Sequence, residues 1–158
     1  MKQSPQMKRA QANMAPGVIT LEGFLGKDER HLVDIIIEDE ADVQRLNTSH
    51  EAIAARMQEL RDKGARGLGE FVTVEEGISV QVYSVRGKLP CPFEDPGLFS
   101  KTTTTVRNEK LNREVSYSDL HIHLIGEHGF YEGKGFPFRL EPSSLVEILV
   151  VTPAQTEL

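Results

Sequence analysis

The chain changes character near residue 64, and this change limits the folds that it can adopt. In residues 28–63, apolar residues recur at helical spacing, with one break at residues 47–49. From residue 71 onward, β-branched and aromatic residues dominate, and turn residues interrupt them at short intervals. Because the helical part precedes the strands instead of alternating with them, the sequence predicts an α+β fold with a mostly antiparallel sheet.

The helical part is predicted to be a pair of helices. Asp28 can cap the first helix, because its carboxylate accepts hydrogen bonds from the free backbone N–H groups. Thr48 and Glu51 have the spacing of a capping box and predict the start of the second helix. Gly64 and Gly67 predict its end, since glycine accepts the left-handed conformation of a helix terminus.

The sheet is predicted to be a meander of short strands. Residues 71–74 and 78–85 form a hairpin around Glu75-Glu76-Gly77. The segment 86–97 contains three prolines, which lack a backbone donor, and is therefore expected to be a loop. The remaining predicted elements are strands at 18–21, 101–107, 115–125 and 136–140 and a short C-terminal helix at 145–150, capped by Ser144.

The length of 158 residues suits one domain, which we place at residues 16–152. Residues 1–15 are expected to form a flexible tail and residues 153–158 to fray. No apolar run approaches the roughly 20 residues of a membrane span. The N-terminus also lacks the apolar segment of a secretory signal, so a cytoplasmic location is expected.

Charge and cysteine content exclude some classes of protein. The formal net charge is −6, and the first 13 residues hold three of the 18 basic residues and none of the 24 acidic ones. The rest of the chain is therefore more acidic than the whole, which disfavours contact with nucleic acid or anionic membranes because phosphates are repelled. The single cysteine, Cys91, excludes an internal disulfide.

Three of the five histidines lie within eight residues, at His121, His123 and His128. Apolar residues alternate with the first two, which predicts a strand with Asp119, His121 and His123 on one face. Two imidazoles at such spacing can bind one divalent transition metal ion, with Glu127 or His128 as a third ligand from the glycine-rich bend that follows. Asp119 can orient an imidazole by accepting its second N–H.

The spacing His121-x-His123-x3-Glu127 resembles the His-x-His and glutamate core of the cupin metal signature. The likeness covers only residues 121–127, and Val115 stands where that family has a glycine. The resemblance implies a metal ion held by the two histidines and the glutamate. Histidine pairs on the solvent face of a sheet also occur without any metal, and the sequence leaves this alternative open.

Cys91 lies between two prolines that hold it stiffly, and a thiolate there can act as a nucleophile if a positive neighbour and a base are close. A lone cysteine is also common as buried packing. The segment 126–135 is rich in glycine but lacks the Gly-Lys-Ser/Thr ending of a phosphate loop. It is expected instead to bend aromatic residues, among them Tyr131, onto the core or onto a ligand.

Two functional hypotheses follow from these features. In the first, the protein is a small binding or assembly module that forms a homo-oligomer through a sheet edge or through the aromatic residues beside Arg139. In the second, it is a metal-dependent enzyme or small-ligand binder. Its ion would then have an open coordination position that faces a cleft near Tyr131 and Arg139.

Overall fold

A computed structural model describes residues 2–153 of the chain. Its elements are, in order, α1 (Pro5–Asn13), α2 (Leu32–Arg45), α3 (His50–Gly64), a 3-10 turn (Ala65–Gly67), β1 (Val72–Glu75), β2 (Ile78–Pro90), β3 (Leu98–Asn108), β4 (Arg113–Ser118), α4 (Asp119–His128) and α5 (Pro142–Leu149). The expected α+β layout is confirmed, since helices are followed by an antiparallel sheet and a closing helix.

The four strands form a meander in the order β1-β2-β3-β4, with every neighbouring pair antiparallel. The predicted hairpin at Glu75-Glu76-Gly77 is confirmed, because β1 and β2 meet there. Along β3, buried side chains alternate with more exposed ones, so that one face of the sheet points inward. Helices α3, α4 and α5 contact this sheet.

The buried apolar residues form two clusters that share helix α4. The first joins α3 to the sheet, where Ile53, Met57 and Leu60 pack with Val80 and Val106. The second cluster joins α1, α2 and α4 to the residues that follow β2, and its members include Leu32, Ile35, Leu120, Leu124, Phe130 and Cys91. Burying a large apolar side chain stabilises a fold by about 1.5–3 kcal/mol, so both clusters hold α4 firmly in place.

A helix, α1, occupies residues 5–13, which the sequence had assigned to a flexible tail. Ser4 caps it by accepting a hydrogen bond from the Met7 N–H, and Pro5 stands at its first position. Ala10 and the following Met14 are buried in the second cluster. The helix therefore packs with residues of the predicted domain. The fraying predicted for residues 153–158 stays a prediction, because residues from 154 onward lie outside the described part of the chain.

Several predicted boundaries are corrected by the structure. Helix α2 begins at Leu32, and its N-cap residue is His31. Asp28 does not cap it, because the Asp28 carboxylate pairs with the Arg30 side chain, with Arg30 Nη2 2.8 Å from Asp28 Oδ2. Helix α3 is capped by Ser49, not by Thr48. The predicted strand at 18–21 consists of turns and bends instead, and residues 136–140 contain a turn but no strand.

The predicted loop at 86–97 was also wrong in its first part. Strand β2 continues to Pro90 through a bulge between Val85 and Lys88, and it pairs with β3 along this extension. A bulge absorbs an extra residue without ending a strand, and a proline is tolerated at a strand terminus. None of the helices in residues 2–153 has the length and apolar character needed to cross a membrane.

Candidate metal centre

Helix α4 stands where the sequence predicted the last part of a strand. Strand β4 ends at Ser118, whose Oγ accepts a hydrogen bond from the His121 N–H at 3.1 Å. The Ser118 N–H in turn donates to His121 Nδ1 at 3.0 Å, so that a histidine completes the capping box. Gly129 ends the helix with a left-handed φ of 62°.

This helix separates the two histidines that were expected to act together. Successive residues of an α-helix are rotated by about 100°, so His121 and His123 point to nearly opposite sides. His123 instead meets His128 and the loop after β2, whereas His121 meets Glu132. The proposed set of His121, His123 and Glu127 therefore does not converge, and the spacing that resembles the cupin signature lies on a helix.

A cluster of four potential metal ligands lies between α4 and the loop after β2: Cys91, Asp95, His123 and His128. Asp95 Oδ2 lies 2.7 Å from His123 Nε2 and 2.6 Å from His128 Nε2. Cys91 Sγ lies 3.8 Å from both Asp95 Oδ2 and His128 Nε2. All four ligand atoms lie within 4.8 Å of one another, and we call this group the metal cluster.

The loop between β2 and β3 bends back on itself and thereby brings Asp95 to Cys91. Glu94 adopts a left-handed φ of 68°, and its N–H donates to the Cys91 carbonyl at 3.0 Å. Helix α1 anchors the same loop, because Asn13 Nδ2 donates to the Pro92 carbonyl at 2.9 Å and Arg9 pairs with Glu94. The N-terminal helix thus holds two of the four cluster residues in place.

Aromatic rings fix both imidazoles of the metal cluster. Phe93 stacks on His128 with ring centroids 4.0 Å apart and planes 8° from parallel. Phe99 lies against His123 at 4.4 Å. Stacking of this kind limits rotation of the imidazole rings, so their Nε2 atoms stay directed at Asp95.

The hydrogen bonds within the cluster shift the ionisation of its acids. Those from His128, and next those from His123, hold the pKa of Asp95 below its ordinary value, because they favour the charged carboxylate. Burial raises the pKa of the Cys91 thiol, since the surroundings disfavour a thiolate without a cation beside it. Without a metal ion, the cluster therefore holds a carboxylate between two imidazoles and, beside it, a protonated thiol.

The donor set and its spacing fit a tetrahedral zinc ion. Zinc binds thiolate sulfur at about 2.3 Å and imidazole nitrogen or carboxylate oxygen at about 2.0–2.2 Å. Ligand atoms at the corners of such a tetrahedron lie roughly 3.3–3.8 Å apart, which matches the two Cys91 distances of 3.8 Å. Asp95 is closer to the imidazoles because it accepts their hydrogen bonds, and its side chain is 33% exposed on a loop, so it can withdraw.

The sequence singled out three members of this cluster, His123, His128 and Cys91, but did not group Cys91 with the histidines. It missed Asp95, four residues after Cys91 in the proline-rich loop. The spacing Cys91-x3-Asp95 could have indicated a shared site, but the two side chains meet only because the chain turns at Glu94. Glu127, expected to be a ligand, is exposed on α4 outside the cluster.

The other candidate residues have structural partners elsewhere. Asp119 accepts two hydrogen bonds from Arg61, at 2.9 and 3.0 Å. Tyr131 is fully buried, and its hydroxyl lies 2.8 Å from His50 Nδ1. Arg139 forms a buried two-point pair with Asp39, at 3.0 and 2.7 Å. Tyr131 and Arg139 therefore do not line an open position on the metal cluster.

The opposite side of α4 carries a second histidine–carboxylate pair. His121 Nε2 lies 2.6 Å from Glu132 Oε1, and Glu132 is only 4% exposed. Its other oxygen, Oε2, has no hydrogen-bond partner among the described residues. Burial raises the pKa of Glu132, and the hydrogen bond from His121 opposes this only in part.

Comparisons with protein-family models, with curated proteins and with solved structures find no match to this chain.

Proposed function

We propose that the protein binds a divalent transition metal ion, zinc foremost, through Cys91, Asp95, His123 and His128. The observation that carries this proposal is the convergence of a thiol, a carboxylate and two imidazole nitrogens within 4.8 Å. These are the ligand types that zinc prefers, and a mixed sulfur and nitrogen set disfavours magnesium and calcium, which take oxygen ligands.

The role we propose for the ion is structural. Four protein ligands close a tetrahedral coordination sphere, whereas catalytic zinc sites keep one position for water or substrate. The ion would join the loop of residues 91–97 to helix α4, two segments brought together from separate parts of the chain. We place the protein in the cytoplasm, because a reducing compartment keeps the single thiol available for the metal.

Metal analysis of protein made without a histidine tag tests this proposal. We expect about one zinc ion per chain in the wild type, and almost none in Cys91→Ser and His128→Ala, since three ligands hold zinc more weakly than four. Circular dichroism verifies that each variant is folded, and Asp95→Asn provides a nearly isosteric third variant.

Two controls keep the outcome specific to the cluster. His31→Ala removes an exposed histidine whose side chain caps nothing, and Glu127→Ala removes a carboxylate of α4 outside the cluster. Both should retain the metal. Folded wild-type protein that stays metal-free after growth and dialysis with zinc, cobalt and nickel would rule out the proposal.

We also propose assembly of two copies through strand β2, on a separate observation. Strand β1 pairs with β2 only at residues 78–80. Within the described part of the chain, residues 82–90 of β2 thus have a strand partner on the β3 side alone. Tyr83 and Val85 on this stretch are substantially exposed. Unpaired strand edges with apolar side chains readily pair with another chain.

Light scattering after size-exclusion chromatography, at several protein concentrations, tests the assembly. We expect a dimer at high concentration that Val85→Lys converts to a monomer, because an edge lysine opposes strand pairing. Leu111→Lys, which changes an equally apolar exposed residue in the turn before β4, should leave the dimer intact. A wild-type protein that is monomeric at every concentration contradicts this second proposal.

A further inference from the structure

A cavity of about 310 Å³ lies on the side of α4 opposite the metal cluster. Its wall combines residues 20–24, the first turn of α4 and the segment from Glu132 to Phe138. The volume is at the lower end of the range for small-molecule sites, about 300–1,000 Å³. None of the four residues of the metal cluster lines this cavity.

Glu132 is a polar residue in the wall of this largely apolar pocket, and one of its two carboxylate oxygens has no hydrogen-bond partner among the described residues. Its carboxylate accepts a hydrogen bond from His121 at Oε1, and Oε2 has no partner among the described residues. Buried polar atoms almost always have a partner, because leaving one unpaired destabilises the fold. Oε2 itself has almost no accessible surface, so a bound molecule can donate to Glu132 once the carboxylate turns toward the pocket.

Carboxyl groups dominate the charged part of the pocket wall. His121 is held between Ser118, whose N–H lies 3.0 Å from Nδ1, and Glu132, whose Oε1 lies 2.6 Å from Nε2. Glu22, at the rim, adds a second carboxyl group. No lysine or arginine is among the described residues that line the pocket. Two carboxyl groups with no lysine or arginine beside them favour a cation as the donor.

Phenylalanine rings form much of the remaining wall. Phe24, Phe136 and Phe138 line the pocket, the last of them 57% exposed. Aromatic faces attract ammonium groups and also cover apolar groups. The pocket thus suits a molecule that has both a hydrocarbon part and a positive head.

The backbone around Glu132 is fixed before any ligand binds. Glu132 adopts a left-handed φ of 75°, which is unfavourable for a residue with a side chain. Arg139 holds its carbonyl at 2.7 Å, and the Gly133 N–H donates to the Phe24 carbonyl at 3.0 Å. A Cβ on Gly133 would lie 2.2 Å from the Leu25 carbonyl oxygen, so only glycine permits this contact. Such strain persists where the surroundings enforce it, and it is concentrated at ligand sites.

From these observations we propose that the pocket binds a small primary amine with an apolar body, whose ammonium group donates a hydrogen bond to Glu132. His121 is a positioning residue, since it holds one carboxylate oxygen and leaves the other to the ligand. The phenylalanine rings receive the apolar body. This assigns a second, organic ligand site to the chain.

Calorimetric titration of the full chain with two matched pairs of probes tests the proposal: 2-phenylethylamine against 2-phenylethanol, and hexylamine against hexanol. We expect saturable binding of at least one amine and at least about tenfold weaker binding of the alcohol of the same shape, because the alcohol carries no charge. If neither amine binds saturably to folded protein, or if the alcohols bind equally well, the proposal is wrong.

Variants locate the binding within the molecule. Glu132→Gln keeps an acceptor for His121 but removes the charge, so it should reduce the preference for amine over alcohol by about tenfold. Phe138→Ala, at an exposed position that is safe for folding, should weaken both members of a pair alike. Glu127→Gln, an exposed carboxylate on the same helix, should change nothing. Full amine binding by folded Glu132→Gln protein would overturn the assignment.

Discussion

Helix α4 carries histidines on two sides, and each side brings them to a carboxylate in a different environment. On one side, His123 and His128 share the partly exposed Asp95, with a thiol beside them. On the other, His121 alone reaches the buried Glu132, which keeps one oxygen without a partner. The first side offers four potential metal-ligand atoms, which suits a metal ion. The second side has a carboxylate oxygen without a hydrogen-bond donor, which suits an organic molecule that supplies one.

The comparison shows that residue type alone does not define a site. Both sides use imidazole and carboxylate, and both carboxylates lie 2.6–2.7 Å from a histidine nitrogen. Their surroundings shift the two acids in opposite directions, because hydrogen bonds from His128 and His123 lower the pKa of Asp95 whereas burial raises that of Glu132. The two sides should therefore respond differently to mutation, metal and pH.

The largest effect on stability is expected from Asp39→Ala. It removes the buried partner of Arg139 and leaves only the more exposed Glu141, and breaking a buried ion pair costs about 3–5 kcal/mol. Arg139 also holds the Glu132 carbonyl, so amine binding should be lost with it. Urea unfolding measures the loss of stability, and metal analysis of the folded fraction should still give the wild-type zinc content. Equal loss on both sides of α4 would show that they are not independent.

Zinc should stabilise the wild type by about 4 kcal/mol at a thousand times its dissociation constant. For a chain of this size, that corresponds to a rise in melting temperature of about 8–16 °C. Cys91→Ser should abolish most of this rise, whereas His121→Gln, on the other side of the helix, should preserve it. A rise that survives Cys91→Ser but not His121→Gln would reverse the assignment of the two sides.

Glu132→Gln should make the ligand-free protein more stable at pH 8, because the amide carries no charge. The expected gain is about 1–3 kcal/mol, the usual desolvation penalty of a buried group. The sign follows from the raised pKa: the folded state favours the protonated acid, so wild-type stability falls as pH rises from the unfolded value of about 4.5 through the folded one. Urea unfolding at several pH values should show the two proteins converging near pH 4. If the Glu132→Gln variant is less stable than the wild type at pH 8, the fold already compensates the charge of the Glu132 carboxylate and the prediction is wrong.

The smallest expected effect is that of Phe93→Leu. Loss of the ring stacked on His128 should weaken zinc binding by about 0.5–1.5 kcal/mol, or roughly 2- to 12-fold. Competition with a chromogenic chelator measures this change. Phe138→Leu, on the pocket side, serves as the control and should leave zinc affinity unaltered.

Local patterns predicted the four strands of the sheet in outline and the two long helices, but not where β2 and β4 end. Glu75-Glu76-Gly77 is a turn signal between two β-rich runs, and its hairpin is confirmed. Signals for α1 were also present, since Ser4 and Pro5 are good residues for the start of a helix. The polar, basic composition of residues 1–13 indicates a tail instead.

The metal cluster was harder to predict, because it depends on a change from strand to helix inside one apolar run. Leu120, Ile122 and Leu124 alternate as in a strand, yet Leu120 and Leu124 are also four apart, which is helical spacing. The capping box that begins with Ser118 stabilises the helix. Its second member is His121 and not the glutamate or glutamine of the usual motif, so the sequence did not indicate it. Asp95 joins the site through a turn that local sequence does not specify.

The attachment of α1 to the loop of residues 91–97 has a kinetic consequence. Movement of Cys91 and Asp95 away from α4 would release a bound ion, and the contacts of Asn13 and Arg9 oppose that movement. Since Arg9 and Glu94 are both exposed, salt screens their attraction. The residence time of the metal should therefore shorten as ionic strength rises, even where equilibrium occupancy remains complete.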